Sequence, residues 1–499
     1  MAQSAQTLAR YSCLTCRKQK RKCDKGLPAC SLCKKSGRIC EYILDEAGRT
    51  RRETRPPAFP ALFFLDAYTF GRRGLTVQIP EIELPLGVLD HIGNTAQVQH
   101  DADLYFTSIH TFFPIISRLR IYQHIQDPVE SLKPDLVFLL YAMQLICRPV
   151  EDASGQVAER YASTKRLASH LESRHLLSVR FLQGLLLVGL YEMAHAIYPA
   201  GYLTVGHCAR VAGAMGINNL KGVAQMFPSP RSVTELEEMR RVTWGIIILD
   251  RFVSIGATNC GYACEDARPD QLLPMDEKSW EKGEPAPIPS LAISCNTNII
   301  ASPFARTCQA SDLLSRILRH VKDKHNDAQF YYEEAMLLHR TIEAFRAGIS
   351  HELHNSTDRA SEMSLLTGIA ICYSAQIALY DMYTCTEADH TDSVGIPIQL
   401  EMQSIALAGM HDVCGEIHGL ASKISRTIES DGLLKTSPFL CDCLYAAAIN
   451  FIWYIQETGR SELSHVVVDL KAALAALGRR WTVANEYLKS LESEESRSP

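Results

Sequence analysis

The 499-residue sequence lacks any apolar run of the ~18–20 residues that a membrane-spanning helix needs. Its longest apolar run, Phe181–Tyr191, is too short and continues into Glu192 and His195. The opening residues MAQSAQTLARYSC also lack the apolar core of a secretory signal. We therefore expect no membrane contact, and cysteines that are kept reduced inside the cell.

The sequence also lacks the short motifs that mark common catalytic sites. It contains no G-x-S-x-G, no glycine-rich phosphate loop and no H-E-x-x-H. The histidines His110, His195 and His207 are isolated on predicted helical faces, where a core or surface role is the ordinary one. No residue is predicted to be catalytic, and we expect that the protein is not an enzyme.

Period-two alternation of apolar and polar residues, which is typical of strands, does not persist anywhere. From about residue 61 onward, apolar residues recur with helical period instead, and Ser232-x-x-Glu235 matches a capping box at a helix start. Helices are predicted over 101–113, 135–147, 157–177, 181–197, 201–215, 232–252, 296–322, 325–349, 359–386, 397–428, 437–456 and 462–492. The predicted fold class is all-α, with a small N-terminal module followed by a large helical domain.

Six of the 17 cysteines lie within 28 residues at the N-terminus. They follow the spacing C-x2-C-x6-C-x6-C-x2-C-x6-C, so the second half repeats the first; they are Cys13, Cys16, Cys23, Cys30, Cys33 and Cys40. Disulfides are typical of small secreted domains, and buried cysteines that pack by chance are usually single. Both interpretations fit this doubled spacing less well than thiolate coordination of a metal.

Four thiolates satisfy tetrahedral Zn²⁺. Six sulfurs can serve one ion with two left over, or two ions if two sulfurs bridge, and the repeat favours two ions. A segment this short cannot bury a core of its own, so the metal is expected to supply its folding energy.

Basic residues are concentrated in the same segment. Residues 1–55 hold 14 Lys+Arg against 5 Asp+Glu, a net charge of +9, whereas the remainder carries −14. The cations between the first three cysteines are Arg17, Lys18, Lys20, Arg21 and Lys22. A charge run of this kind is often only a solvated face, but a small basic region on an acidic protein is also typical of phosphate binding.

The segment Cys13–Cys40 resembles the fungal zinc binuclear cluster, a DNA-binding module of fungal transcription regulators. The cysteine spacing matches throughout, as do Pro28 and Asp24. The resemblance implies two zinc ions bridged by Cys13 and Cys30. Cys16 and Cys23 would complete one site; Cys33 and Cys40 would complete the other.

The same resemblance assigns roles in DNA binding. Lys20 lies where the family has its base-reading lysine, which implies donation to guanine and a CGG-type half-site. The other four cations are then phosphate contacts: Arg17, Lys18, Arg21 and Lys22. Gln19 departs from the family, which often has a basic residue there.

The expected organisation has four parts. Residues 1–45 form the zinc module, with its core at 13–40; 46–85 form a linker; 86–485 form the helical domain; and 486–499 form an acidic tail. The linker contains Arg49, Arg51, Arg52, Arg55, Pro56, Pro57 and Pro60. The prolines disfavour helix, and no heptad follows the cysteines. The coiled coil that dimerises many relatives is therefore not predicted here, and homodimer formation stays open.

The helical domain also resembles the family, through its fungal-specific transcription factor domain. The first matching stretch is Tyr105-Phe106-x3-His110-x2-Phe113-Pro114-Ile115-Ile116. Arg240-Arg241-x2-Trp244 with Asp250-Arg251 forms the second, flanked by Gly216-Ile217 and Leu273-Pro274. Residues Ala257–Asn259 depart from the family's Gly-Arg-Pro. Packing and a satisfied ion pair are the expected roles of Trp244 and Asp250-Arg251, and a pocket for a small-molecule or protein effector is the alternative.

Together these features predict a nuclear transcription factor that binds double-stranded DNA through CGG-type elements and regulates RNA polymerase II genes. The compact size favours a metabolic or biosynthetic gene cluster as the target. The alternative is a zinc-cluster interaction protein that acts through RNA or protein contacts. An enzyme with an appended zinc module is the weaker rival.

Overall fold

A computed structural model describes residues 12–26, 29–38, 40, 80–148, 156–217, 230, 232–256, 261–284, 291–295, 299, 301–323, 328–356, 359–384 and 397–496. For Leu14, Arg17 and a few residues near helix ends, only the backbone is described. Pro28, most of the predicted linker with its arginines and prolines, and Ala257–Asn259 lie outside this set. The chain divides into two compact units, residues 1–58 and 59–499.

The first unit contains two short helices, α1 (Leu14–Lys18) and α2 (Ser31–Lys35). The second begins with α3 (Val88–Ile92), α4 (Thr95–Thr107), α5 (Arg118–His124), α6 (Pro134–Cys147), α7 (Gln156–Ser173), α8 (Val179–Ala194), α9 (Ala200–Met215) and α10 (Val233–Phe252). It continues with α11 (Glu277–Lys282), α12 (Pro303–Lys322), α13 (Ala328–Asn355), α14 (Arg359–Thr384), α15 (Pro397–Asp431), α16 (Leu440–Thr458), α17 (Ser464–Gly478) and α18 (Thr482–Ser496).

The all-α prediction is confirmed. β-Structure in the described residues is limited to isolated bridges such as Leu272 with Ala292, and no strand forms there. One hydrophobic core extends along the second unit from Ile92 to Leu491. The predicted start of α10 is also confirmed, since the Ser232 hydroxyl accepts from the Glu235 amide at 3.1 Å.

The longest apolar helix lies in the middle of this core. Within the part of the chain that the structure describes, Ser361–Thr384 has the length and hydropathy of a membrane span, but 94% of its apolar stretch is buried inside the domain. It is therefore packed as a core helix. Ser364, Thr367 and Gln376 interrupt its apolar residues, which is why no continuous apolar run marks it in the sequence.

Several predicted helices differ in extent from those observed: the helix predicted over 296–322 begins at Pro303, and the one predicted over 325–349 continues to Asn355. Two others differ more. The segment 462–492 forms α17 and α18 rather than one helix. The break follows Gly478, whose carbonyl accepts from Asn485 Nδ2 at 3.0 Å; a Cβ at residue 478 would lie 2.0 Å from Asn485 Oδ1. The buried Trp481 in the turn donates its indole N–H to the Thr436 carbonyl at 3.1 Å. In 101–113, α4 ends at Thr107 and a 3₁₀ turn follows at Ile109–Thr111.

The C-terminal segment does not separate from the domain where the sequence suggested. The predicted tail boundary at residue 486 falls inside α18, which continues to Ser496. Tyr487 stacks on Tyr445 with ring centroids 4.4 Å apart, and Leu491 is buried. This segment is held by packing, because its apolar side chains face α16 and the core.

In the Arg240-Arg241-x2-Trp244 signature, the Arg241 guanidinium lies at the centre of a buried network of hydrogen bonds, which we call the Arg241 clamp. This guanidinium is fully buried and donates to Glu237 Oε1 at 2.9 Å, the Pro114 carbonyl at 3.2 Å and the Met275 carbonyl at 2.7 Å. It also lies 4.1 Å from the Trp280 ring centroid. Three segments distant in sequence are thereby joined at one side chain, so the clamp is structural.

The polar groups of Trp244, Asp250 and Arg251 in α10 also have hydrogen-bond partners in other segments. Trp244 is buried and donates to the Leu272 carbonyl at 2.9 Å. Asp250 accepts from the Ala263 and Cys264 amides, each at 3.1 Å, while Arg251 donates to the Cys264 carbonyl at 3.0 Å. The expected roles in packing and ion pairing are confirmed: the pair fixes the loop after α10.

Replacing Arg241 with alanine is expected to destabilise the domain by about 2–5 kcal/mol, because it leaves the buried Pro114 and Met275 carbonyls without their donor and removes one of the two arginines that pair with the buried Glu237. Urea unfolding of the full chain, followed by circular dichroism, measures this loss. Arg166→Ala is the matched control, since Arg166 and Glu159 form an exposed pair worth less than about 1 kcal/mol. Equal midpoints for the two variants would contradict the clamp.

Candidate metal centre and nucleic-acid interface

The two short helices of the first unit hold the cysteine pairs in the same local geometry. The Cys16 amide donates to Cys13 Sγ at 3.4 Å, and the Cys33 amide donates to Cys30 Sγ at the same distance. In each half the first sulfur thus accepts from the backbone of the second cysteine. Cys40 Sγ accepts from the Cys30 amide at 3.2 Å. The sequence repeat is therefore also a structural repeat.

The six sulfurs form two overlapping sets of four, in each of which all atoms lie within 4.8 Å of one another. The sets are Cys13, Cys16, Cys23, Cys30 and Cys13, Cys30, Cys33, Cys40. Cys13 and Cys30, with sulfurs 3.7 Å apart, belong to both. Four sulfurs placed tetrahedrally at the usual Zn–S distance lie about 3.8 Å from one another. The arrangement thus fits two tetrahedral ions that share two thiolates.

Burial makes this arrangement unfavourable without a cation. It raises the pKa of the Cys13 and Cys16 thiols, and it raises that of Cys33 to about 12. Burial acts on Cys30 in the same sense, but hydrogen bonds from the Cys33 amide and the neighbouring thiols outweigh it and lower the pKa of Cys30 to about 6. Buried thiolates this close together require positive charge, and Zn²⁺ supplies it.

Lys20 has an unusual backbone conformation at the end of α1. Its φ is +53°, in the left-handed region, and the Arg21 amide donates back to the Cys16 carbonyl at 2.9 Å. The second half of the repeat makes the same turn with Gly37 at φ +58°. A residue with a side chain in this conformation costs about 1–2 kcal/mol relative to the ordinary helical region. Lysine thus stands where the fold favours glycine.

The cations predicted to contact DNA are exposed on this unit. The side chains of Lys18, Lys20, Arg21 and Lys22 all face solvent, and that of Arg17 lies outside the described set. The exposed cations that the sequence reasoning did not assign include Lys34, Lys35 and Arg38. These three belong to the second half of the repeat, so both halves carry positive charge.

Two polar contacts in this unit were not foreseen. Arg38 donates to the Gln19 side chain, which joins the ends of the two helical turns. Asp24 accepts from the Ser31 hydroxyl and from the Ser31 amide at 3.1 Å; these bonds lower the pKa of its carboxyl. Only the doubled cysteine spacing, which brings the two turns together, could have indicated these contacts from the sequence.

The first unit thus has two overlapping sets of four sulfurs and a surface of exposed cations, which is typical of a metal-dependent nucleic-acid-binding module. Two family models match in the corresponding regions. Residues 11–49 match the fungal Zn(2)-Cys(6) binuclear cluster domain, and residues 102–334 match the fungal specific transcription factor domain.

Curated proteins with similar sequences are also named as transcription factors or transcription activators. The chain is 34% identical over 179 residues to "Transcription factor BOA15" of Botryotinia fuckeliana, covering 36% of this chain and 98% of that protein. It is 28% identical over 206 residues to "Depudecin biosynthesis cluster-specific transcription activator DEP6" of Alternaria brassicicola. It is also 28% identical over 195 residues to "Pigment biosynthesis transcriptional activator pigB" of Monascus ruber. These alignments cover 38% and 37% of this chain but about a third of those two relatives, 31% and 34%.

The chain belongs to the family of fungal zinc binuclear cluster transcription factors. It is a DNA-binding regulator of transcription, and its cluster takes two zinc ions. The family prediction made from the cysteine array and from the Arg240-Arg241-x2-Trp244 signature is confirmed.

Proposed function

We propose that the protein acts in the nucleus and binds CGG-type elements in the promoters of RNA polymerase II genes. The observation that carries the proposal is the placement of Lys20, exposed at the end of α1 in a conformation that favours glycine. A strained side chain at an exposed position has no packing reason to be there, and strained residues cluster at functional sites. Contact with a base edge would explain it.

The overlapping sulfur sets support the ligand assignment that we propose for the two zinc ions. Cys13 and Cys30 would bridge; Cys16 and Cys23 would complete one site, and Cys33 and Cys40 would complete the other. When bound, zinc supplies the folding free energy that so short a segment cannot obtain from a core. The side chains of the chain make the DNA contacts: Lys20 donates to guanine, and the phosphates are contacted by Arg17, Lys18, Arg21 and Lys22.

The proposed domains follow the expected division except at the two ends of the regulatory domain. Residues 1–45 bind DNA, and the linker that begins at residue 46 connects them to the regulatory domain. That domain, expected over 86–485, controls output or assembly and is the part that would take an effector. It also includes Ile82 and Leu84, which pack against its core, and α18 as far as residue 496. The helical domain has no proposed catalytic role. The names of DEP6 and pigB, a cluster-specific activator and a pigment biosynthesis activator, support a biosynthetic gene cluster as the target.

Selection of duplex DNA from a random library by the full-length protein tests this proposal. We expect enrichment of CGG triplets, either single or paired at fixed spacing. A library that returns no CGG-containing motif would overturn the proposal and favour the alternative, a zinc-cluster protein that binds RNA or other proteins. One half-site would indicate a monomer, whereas two at fixed spacing would indicate a homodimer.

The salt dependence of binding gives a second and quantitative test. Four phosphate contacts per cluster predict a slope of log K against log salt near −3.6, and a dimer on two half-sites predicts about twice that. Lys22→Ala is expected to reduce the slope by about one per cluster without changing sequence preference. A slope near zero would contradict the assignment of the four basic residues. Glu159→Gln, a change at an exposed position of α7 in the second unit, is the control that leaves the slope unchanged.

A further inference from the structure

The basic run of the first unit is interrupted at one residue. Gln19 is the only uncharged side chain from Arg17 to Lys22, and its neighbours Lys18 and Lys20 are both exposed. Phosphates follow one another at short intervals along a duplex, so a row of cations that faces DNA loses attraction where one member is neutral. This neutral position lies between the proposed phosphate contact of Lys18 and the proposed base contact of Lys20.

The second half of the cysteine repeat carries cations at matching positions. Residues 17 positions apart correspond, as Cys13 and Cys30 do. The aligned pairs of cations are Arg17 with Lys34, Lys18 with Lys35, and Arg21 with Arg38. The local backbone agrees with this alignment: the Arg21 amide donates to the Cys16 carbonyl at 2.9 Å. The Arg38 amide donates to the Cys33 carbonyl at 3.0 Å, so both arginines follow the same kind of turn.

One contact brings a second-half cation to the neutral position of the first half. The Arg38 guanidinium donates from Nη1 to Gln19 Oε1, and both side chains are exposed. A positive charge therefore lies beside residue 19, although residue 19 itself is neutral. A guanidinium has five N–H donors in a planar fork, and this bond uses one of them. Arg38 thus keeps donors for an anionic acceptor on the same surface.

The repeat favours phosphate over a base as the acceptor for Arg38. Arg38 corresponds to Arg21, which is a proposed phosphate contact. The base-reading position of Lys20 corresponds to Gly37, which has no side chain. A guanidinium also matches phosphate in shape, since two of its parallel N–H groups can bond two phosphate oxygens. The second half thus keeps the kind of residue that holds phosphate and lacks the kind that reads a base.

We propose that Arg38 is a phosphate contact of the DNA-binding surface and that Gln19 positions it, so that the second half of the cluster supplies the charge missing at residue 19. That the acceptor belongs to a DNA duplex rests on the proposed function, whereas the position of Arg38 beside Gln19 does not.

Arg38→Gln in the full-length protein tests this contact through the salt dependence of binding. The four first-half cations alone predict a slope of log K against log salt near −3.6, and Arg38 would bring it to about −4.5 per cluster. The variant is expected to return the slope to about −3.6 and to weaken binding about eightfold at about 0.1 M salt. The loss should be equal on a CGG duplex and on a duplex with a mutated triplet. An unchanged slope would overturn the proposal, and so would a loss confined to the CGG duplex.

Lys35→Gln is the matched control, because it removes the same charge from the same half of the repeat. Lys35 is exposed at the end of α2, before the turn that brings Arg38 to Gln19. Its charge is farther from the neutral position and is screened by salt, so the slope should change by less than about half as much. Equal changes for the two variants would show that the second half acts only through its net charge, which would overturn the proposal.

Gln19→Lys in the Arg38→Gln background provides a rescue test, because it places a cation at residue 19 itself. The double variant is expected to regain the wild-type slope and an affinity within about twofold of wild type. A double variant that binds as weakly as Arg38→Gln would overturn the proposal, since a charge at residue 19 would then meet no phosphate.

Zinc analysis separates a folding defect from a lost contact, because Arg38 lies close to Cys40 in the chain. Each variant should hold two zinc ions. If Arg38→Gln holds fewer, Gln19→Ala replaces it in the test: it leaves Arg38 without its acceptor and should weaken binding about threefold, because the guanidinium must then be immobilised on binding. Wild-type affinity of Gln19→Ala would overturn the proposal. A recovered CGG motif with an unchanged slope would overturn this proposal alone, whereas selection without CGG would overturn the proposed function.

Discussion

Replacement of Cys30 with alanine is expected to release both zinc ions and unfold the first unit. Cys30 Sγ belongs to both sulfur sets, so its loss leaves three ligands at each site. Because the metal supplies the folding free energy of the unit, neither incomplete site holds the fold. Elemental analysis of the purified full-length variant should find less than one zinc per chain, against two in the wild type.

The contrast with Cys40 makes this test specific. Cys40 belongs to one set only, so Cys40→Ala leaves Cys13, Cys16, Cys23 and Cys30 intact and is expected to retain about one zinc. Cys372→Ala, at a buried cysteine of α14, is expected to retain both. One tightly held zinc in a folded Cys30 variant would show that Cys30 does not bridge.

The consequences for the two units should also differ. The second unit has its own core, from Ile92 to Leu491, and contains nearly all the helices. The Cys30 variant should therefore keep most of its helical circular dichroism while losing DNA binding completely. A chelator should act in the same way on the wild-type protein, because it removes the metal and leaves the hydrophobic core of the second unit unaffected.

The sequence predicts the class of the fold and the metal site well, for physical reasons. A helix leaves its period in the spacing of apolar residues, and a tetrahedral thiolate site leaves its pairs in the spacing of cysteines. Both patterns are local. The cap at Ser232 and the burial of Trp244 could be predicted for the same reason: the cap depends on Glu235 three residues later, and Trp244 lies on the apolar face marked by the helical period of its own segment.

Features that depend on contacts between distant parts of the chain could not be predicted from the sequence. The break between α17 and α18 depends on Asn485 meeting Gly478 and on Trp481 reaching Thr436. The hydrogen bond from Tyr161 to Glu192 forms only when α7 and α8 are packed together. No local pattern marks such contacts, because the residues involved have ordinary helical neighbours.

The left-handed turn at residue 20 could not be predicted from the sequence either. Lysine gives no signal of positive φ, and only the alignment of Lys20 with Gly37 under the 17-residue repeat indicates it in retrospect. Lys20 is exposed in this turn, just beyond the end of α1 and among other exposed cations. The strain of this conformation therefore provides a way to separate the proposed role of Lys20 in DNA binding from its role in folding.

Lys20→Gly is expected to reduce discrimination between CGG and a mutated triplet by about 1–3 kcal/mol, a factor of roughly 5–150, because it removes the donor to guanine. Glycine also relieves the positive φ, so the first unit should be at least as stable as in the wild type. Lys20→Ala keeps the strain and should lose the same discrimination with no gain in stability. Competition binding with full-length protein and zinc analysis measure both quantities.

Lys18→Ala is the matched control, because Lys18 lies two residues earlier at the end of α1, is also exposed and is assigned to phosphate. It is expected to weaken binding to CGG and mutated duplexes equally and to lower the salt slope by about one. If Lys20→Gly behaves in this way instead, Lys20 touches only phosphate and its strain has another cause. If Lys20→Gly loses discrimination while zinc content and stability are preserved, the loss cannot be a folding defect, and the base contact is the remaining explanation.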